Sequence, residues 1–215
     1  QQPIQSGATY TYEFVAKPAG THFYHTHGST HGDQAQQMDT GLSGAFIVEP
    51  VGYQRPDREY TLVLDDWQTA PMSTRGRMDG SGNMMNMGMM GNGHAMGYDL
   101  FTINGRSFPS TESLSVKRSD RVRIRLINAS TATTHPMHLH GHQFRVIAAD
   151  GNPIPLPAQL TRNTITFSPG ETYDIEFVAE NPGMWAFHCH ELHHSDGGMM
   201  TLLRYDGFAL PMFRE

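Results

Sequence analysis

Residues 7–27 align without a gap on residues 170–190, at an offset of 163, and ten of the 21 aligned positions are identical. The matched pairs include Thr9/Thr172, Tyr10/Tyr173, Phe14/Phe177, Val15/Val178, His25/His188 and His27/His190, and at the same offset His31 falls on His194. Self-similarity at a fixed offset marks one supersecondary unit used twice, so the chain must contain two related domains. The spacing predicts that residues 1–56 form the C-terminal part of a first domain and residues 57–215 a second one.

The repeated unit is β in character. Residues 9–15, 60–64, 122–127 and 173–178 alternate or are rich in β-branched and aromatic side chains, and Pro-Gly, Asp-Gly and Asn-Pro-Gly pairs punctuate them. Nothing long has helical periodicity, which leaves a sandwich or a barrel. With 38% apolar residues a core can be built, and the formal charge of −6 argues against a nucleic acid or an anionic membrane surface as partner. No apolar run reaches the ~18–20 residues of a membrane span. A single cysteine excludes an intramolecular disulfide framework. Thirteen His and fourteen Met are a different matter, because both are ligands for soft and borderline metals.

Two clusters concentrate those ligands: His135-Pro136-Met137-His138-Leu139-His140-Gly141-His142, and His188-Cys189-His190 followed by His193, His194 and Gly198-Met199. On a strand, successive side chains face opposite ways. His188 and His190 would then point to one side and Cys189 to the other, so one strand could present a thiolate to one metal and two imidazoles to another. His194 and Met199 follow at loop spacing and can return to the Cys189 side. Cysteine, two histidines and a weak axial methionine make the donor set of a blue-copper electron-transfer site, with His135 of the other cluster as the second imidazole. His22, His31, His142 and His193 read instead as packing or solvent residues, although His142 could orient a neighbouring ligand by a hydrogen bond. Glu191, Asp196 and Asp33 lie near the clusters in sequence and read as surface carboxylates, with proton delivery as the alternative.

These motifs resemble those of the multicopper oxidases, the laccase family, over nearly the whole chain. The resemblance implies an all-β fold of two cupredoxin-like Greek-key β-barrel domains, the first incomplete at its N-terminus. It implies type 1 copper ligands His135, Cys189, His194 and Met199, a type 2 ligand His138, and type 3 ligands His25, His27, His140, His188 and His190, with four copper ions per complete unit. Cys189, His188 and His190 would carry the electron between the centres. His135 lies 108 residues after His27, too close for a further domain between them. That spacing is similar to the two-domain oxidases, in which the trinuclear site lies between subunits of a homotrimer. The family uses eight trinuclear histidines and six are present; the repeat would place the missing pair upstream of Gln1.

The activity so implied is one-electron oxidation of a phenol or aromatic amine coupled to reduction of dioxygen to water, in a periplasmic or secreted protein. A Gly-, Asn- and Met-rich stretch at residues 79–97 is expected to be a loop within the second domain. Its Met84, Met85, Met87, Met89, Met90 and Met96 are candidates for a Cu(I) relay, since thioethers are soft ligands; Met also fills irregular apolar gaps. If they do relay Cu(I), cuprous ion becomes a donor and copper tolerance a function. A copper nitrite reductase or a non-catalytic blue-copper protein are the rival readings.

Overall fold

The computed structural model describes residues 4–27, 33–69 and 97–208, apart from the Asp33 side chain. The Met-rich stretch, His31 and the Asp33 side chain therefore lie outside the described residues. Fourteen strands, two short α-helices and one 3-10 turn (Leu156–Ala158) are present among the described residues, the strands arranged as one ribbon and two sheets.

The ribbon is β1 (Gly20–His25) antiparallel to β2 (Ser43–Val48), with helix α1 (Asp33–Met38) between them in sequence. The larger sheet contains β3 (Arg58–Trp67), β4 (Leu100–Ile103), β6 (Arg121–Asn128), β8 (Phe144–Ala149), β9 (Asn152–Pro153), β10 (Thr161–Arg162) and β12 (Thr172–Val178), in the order β10-β8-β12-β6-β3-β4 with β9 on β8. The smaller one runs β11-β7-β13-β14-β5, built from β5 (Leu114–Val116), β7 (His135–Leu139), β11 (Thr164–Phe167), β13 (Met184–Cys189) and β14 (Met200–Tyr205). Most pairs are antiparallel, while β3/β6 and β14/β5 are parallel.

Period-two patterning builds the core between these sheets. In β6, Val122, Ile124 and Leu126 are fully buried on one face. They pack with Leu62, Leu64, Met137, Leu139, Ile175, Phe187 and Leu203 in one cluster. Alternate residues of β6 face the other way, toward the ribbon. Arg125 of that row bonds Asp174 (3.0 Å) and Glu59 (2.7 Å), and Arg123 bonds Glu176 (3.1 Å). From the ribbon, Thr21 donates to Asp174 at 2.6 Å and accepts from Arg125 at 2.7 Å. Paired through most of their polar atoms, the charges tolerate burial and fix how β1 lies on the sheet.

Three of the four segments expected to be strands lie within β3, β6 and β12, but residues 9–15 form no strand. Their alternation is real: Tyr10, Tyr12, Phe14 and Val15 are between 53% and 74% exposed. What they lack, among the described residues, is a paired strand, although Phe14 meets Phe46 of β2 with ring centroids 5.6 Å apart. Their repeat mate β12 lies between β6 and β8, and among the described residues no strand pairs with residues 9–15 in that way. An extended segment without a paired strand gains no ladder.

Candidate metal centres

Strand β13 is flanked by β7 and β14, and its register with β7 opposes His188 to His138 and Cys189 to Met137. Residues directly opposite in a sheet share a face. One face of this strand pair thus carries Cys189, Met137 and His135, all fully buried. The other carries the partly exposed His138 and His188, and the exposed His140 and His190 follow the strands. Two donor sets stand back to back, joined through the backbone of three consecutive residues.

On the buried face, the Cys189 Sγ is 3.7 Å from His135 Nδ1 and 3.6 Å from His194 Nδ1, and the three ligand atoms lie within 4.8 Å of one another. A metal holding sulfur at about 2.3 Å and nitrogen at about 2.0 Å, at angles near 110–120°, sets S···N at about 3.5–3.7 Å. The donor set fits a copper ion of the blue type. Met199 is fully buried; its N–H donates to the His194 carbonyl (2.9 Å) and its carbonyl accepts from the Cys189 N–H (3.0 Å), so the backbones at Cys189, His194 and Met199 are tied to one another. Burial pushes the Cys189 thiol up to about 12, and the Glu191 and Asp66 charges add to the effect. Metal entry must therefore displace a thiol proton.

His194 reaches this set from a short helix, α2 (Leu192–Asp196), in place of the loop expected from spacing; Glu191 caps it by accepting the His194 N–H at 3.0 Å. Gly198 then turns the chain back with φ +111° against Ser107. A Cβ there would strain the backbone and overlap the Ser107 side chain. Gly198→Ala is expected to destabilise the protein by about 2–4 kcal/mol and to perturb the optical spectrum of the copper site, measured by urea unfolding and absorbance.

On the other face, ring contacts link His138 to His140, His188 and His190 at centroid separations of 4.8–5.8 Å. The His140 and His188 Nε2 atoms are 2.9 Å apart. Thr164 on β11 holds the His138 Nδ1 at 2.7 Å, leaving Nε2 for a metal. Burial and then repulsion from the other imidazoles hold His138 below the usual histidine range, and burial does the same for His188. Neutral imidazoles are the form that coordinates. His25 repeats the device of its mate: its Nδ1 contacts the Thr26 carbonyl at 2.8 Å, as the His188 Nδ1 contacts that of Cys189. Among the described residues its ring neighbours are Phe23 and His27, and no ring contact joins this pair to the His138 group.

A multicopper oxidase family model matches residues 78–207 and a second one residues 1–52. The chain belongs to the multicopper oxidase family. Among its relatives, the multicopper oxidase MmcO of Mycobacterium tuberculosis is 39% identical over 50% of this chain and 20% of its own length. A probable nitrite reductase-hydroxylamine oxidoreductase fusion protein of Kuenenia stuttgartiensis is 30% identical over 87% of this chain and 20% of its own. The blue copper oxidase of Nitrosomonas europaea has the same fold with a TM-score of 0.77 and 32% identity, over 99% of this chain and 65% of that one. The chain thus spans about a fifth of these two curated relatives and two thirds of the solved structure. Copper centres of types 1, 2 and 3 are the cofactors of this family.

Several residues around the multicopper oxidase motifs were invisible to spacing. Phe101 on β4 stacks on the His194 ring at 4.3 Å. Asp39, beyond α1, accepts from Tyr98 (3.1 Å) and Thr131 (2.9 Å), tying the ribbon segment to the loops that precede β4 and follow β6. His142, expected to be a packing residue, is buried with its Nε2 on the Tyr205 hydroxyl at 2.7 Å and its Nδ1 on the His140 carbonyl at 3.1 Å. Asp65 is buried beside Asp66, and burial with the neighbouring carboxylates raises its pKa from 3.8 to about 7. Because the folded value is above the unfolded one, stability falls as pH rises from about 4 to about 7 and then levels off. Asp65→Asn keeps the oxygen that accepts the Asp66 N–H. It is expected to be more stable than the parent by about 2 kcal/mol at pH 8 and indistinguishable near pH 4, read by urea unfolding at both pH values.

Proposed function

We propose that the chain is the catalytic part of a laccase-like multicopper oxidase, coupling one-electron oxidation of a phenol or aromatic amine, or of Cu(I), to reduction of dioxygen to water. The observation that carries this reading is the back-to-back placement of Cys189 between His188 and His190. In it, His135, Cys189, His194 and Met199 hold the type 1 copper, His138 the type 2 ion, and His25, His27, His140, His188 and His190 the type 3 pair. Bound copper supplies one-electron transfer at the buried set and dioxygen reduction at the exposed one. The protein supplies a buried setting that keeps His135, Cys189 and His194 at fixed spacing, a few covalent bonds between the sets, and neutral imidazoles on the open face.

Residues 1–56 and 57–215 are the two domains of this reading. The separation of His25 and His27 from the other four histidines supports a homotrimer in which each trinuclear set is completed by a neighbouring subunit, and a periplasmic or secreted location suits copper loading. Oxygen uptake by the copper-loaded protein with a phenolic donor tests the proposal, and uptake that follows phenol oxidation is the expected result. The 87% coverage by the nitrite reductase fusion protein favours nitrite reduction as the second reading; nitrite consumption without oxygen uptake would establish it and overturn the first.

A further inference from the structure

Strand β3 places Leu62, Leu64 and Asp66 on its core-facing row. Two of these are ordinary core residues. The third is a carboxylate whose side chain is 0% exposed. Neither Asp66 oxygen has a hydrogen bond among the described residues. A buried, unsatisfied carboxylate is costly, and folds keep one only where it does something. Its close polar neighbour is His135: Oδ1 lies 3.1 Å from Nε2, with an oblique approach that falls short of a formed hydrogen bond.

The chemistry of His135 says what that neighbour is for. Its Nδ1 faces the Cys189 sulfur, so a metal there is bound through Nδ1 and the neutral ring must carry its proton on Nε2. That proton points into the interior, where Asp66 is the acceptor at hand. We propose that Asp66 is a positioning residue of the type 1 centre, accepting the Nε2 proton of His135 and biasing the bound copper toward its oxidised state. The bias follows from charge: oxidised copper with one thiolate carries one more positive charge than reduced copper, and a buried carboxylate favours the more positive form. His194 has a carboxylate on its far nitrogen as well, Glu191 Oε2 at 3.1 Å, but Glu191 is 30% exposed and its charge is screened by water.

The inference rests on the type 1 assignment made above, and its test separates the two. The reduction potential of the copper-loaded protein is measured by equilibration with a mediator for the parent, Asp66→Asn and Glu191→Gln. Asp66→Asn is expected to shift the electron distribution toward reduced copper at least tenfold, which is 59 mV for a one-electron couple, and Glu191→Gln by less. A second measurement needs no variant: in the diamagnetic Cu(I)-loaded parent, the His135 Nε2 proton should give a downfield, slowly exchanging NMR resonance. An unchanged potential in a folded, copper-loaded Asp66→Asn protein overturns the role of Asp66, as does a rapidly exchanging proton in the parent. Absence of a blue site in the parent overturns instead the type 1 assignment beneath it.

Discussion

Cys189→Ser is expected to remove the blue absorption completely and to lower donor oxidation by at least about 10³-fold, a loss of about 4 kcal/mol in transition-state stabilisation. The hydroxyl is close to isosteric with the thiol but is a poor ligand for a soft ion. It breaks the chemistry while leaving the buried face of β13 filled. The chain should therefore still fold, with unfolding free energy within about 1–2 kcal/mol of the parent, and the exposed histidines should still take up copper. Turnover with a phenol, absorbance and urea unfolding read the three outcomes separately. A folded serine variant that keeps a blue band would show that the sulfur is not the ligand.

His188→Ala addresses the other face of the same strand. His188 sits one residue from Cys189, opposes His138 across the sheet and approaches His140 to 2.9 Å, yet contributes nothing to the buried donor set. Its removal should leave the blue band intact and reducible by one electron from a donor, while oxygen uptake falls by about 10³-fold. Half-reduction without turnover is the signature expected when the exposed set is broken and the buried set is not. Oxygen uptake within about tenfold of the parent would mean that the second donor set lies elsewhere.

The contrast between these two variants rests on an alternation that the sequence displays openly. His188-Cys189-His190 is a three-residue string, and a strand's two-residue period is enough to put the cysteine opposite the histidines. His135, Met137 and Cys189 share a buried face for the same reason. The candidate ligands are legible because they cluster in two short segments whose local geometry decides their direction. Their supports are not, because they come from elements far away in sequence. Asp66 and Phe101 oppose one another on β3 and β4, and only the closure of the sheets brings them to His135 and His194. Asp66 nevertheless left a trace, a carboxylate where Leu62 and Leu64 set an apolar row.

Residues 9–15 teach the opposite lesson. Their pattern matches that of β12 almost residue for residue, yet β12 is a strand because β6 and β8 flank it. Patterning states which face a strand would bury, and pairing partners decide whether it forms. The short helix α2 was hidden differently: five residues are too few for a helical period to show, and its formation depends on the Glu191 cap.

The measurement that tests the central claim most directly is tightly bound copper per chain, taken after a Cu(I) chelator has removed loosely held ions and read together with the optical spectrum of the parent and Cys189→Ser. The expected result is a blue protein that holds its type 1 copper through the chelator and loses both colour and that copper in the serine variant. Copper approaching four per chain would mark a complete trinuclear cluster as well. A folded parent that retains no copper at Cys189, or binds it without the blue band, would contradict the assignment of His135, Cys189, His194 and Met199 on which the rest is built.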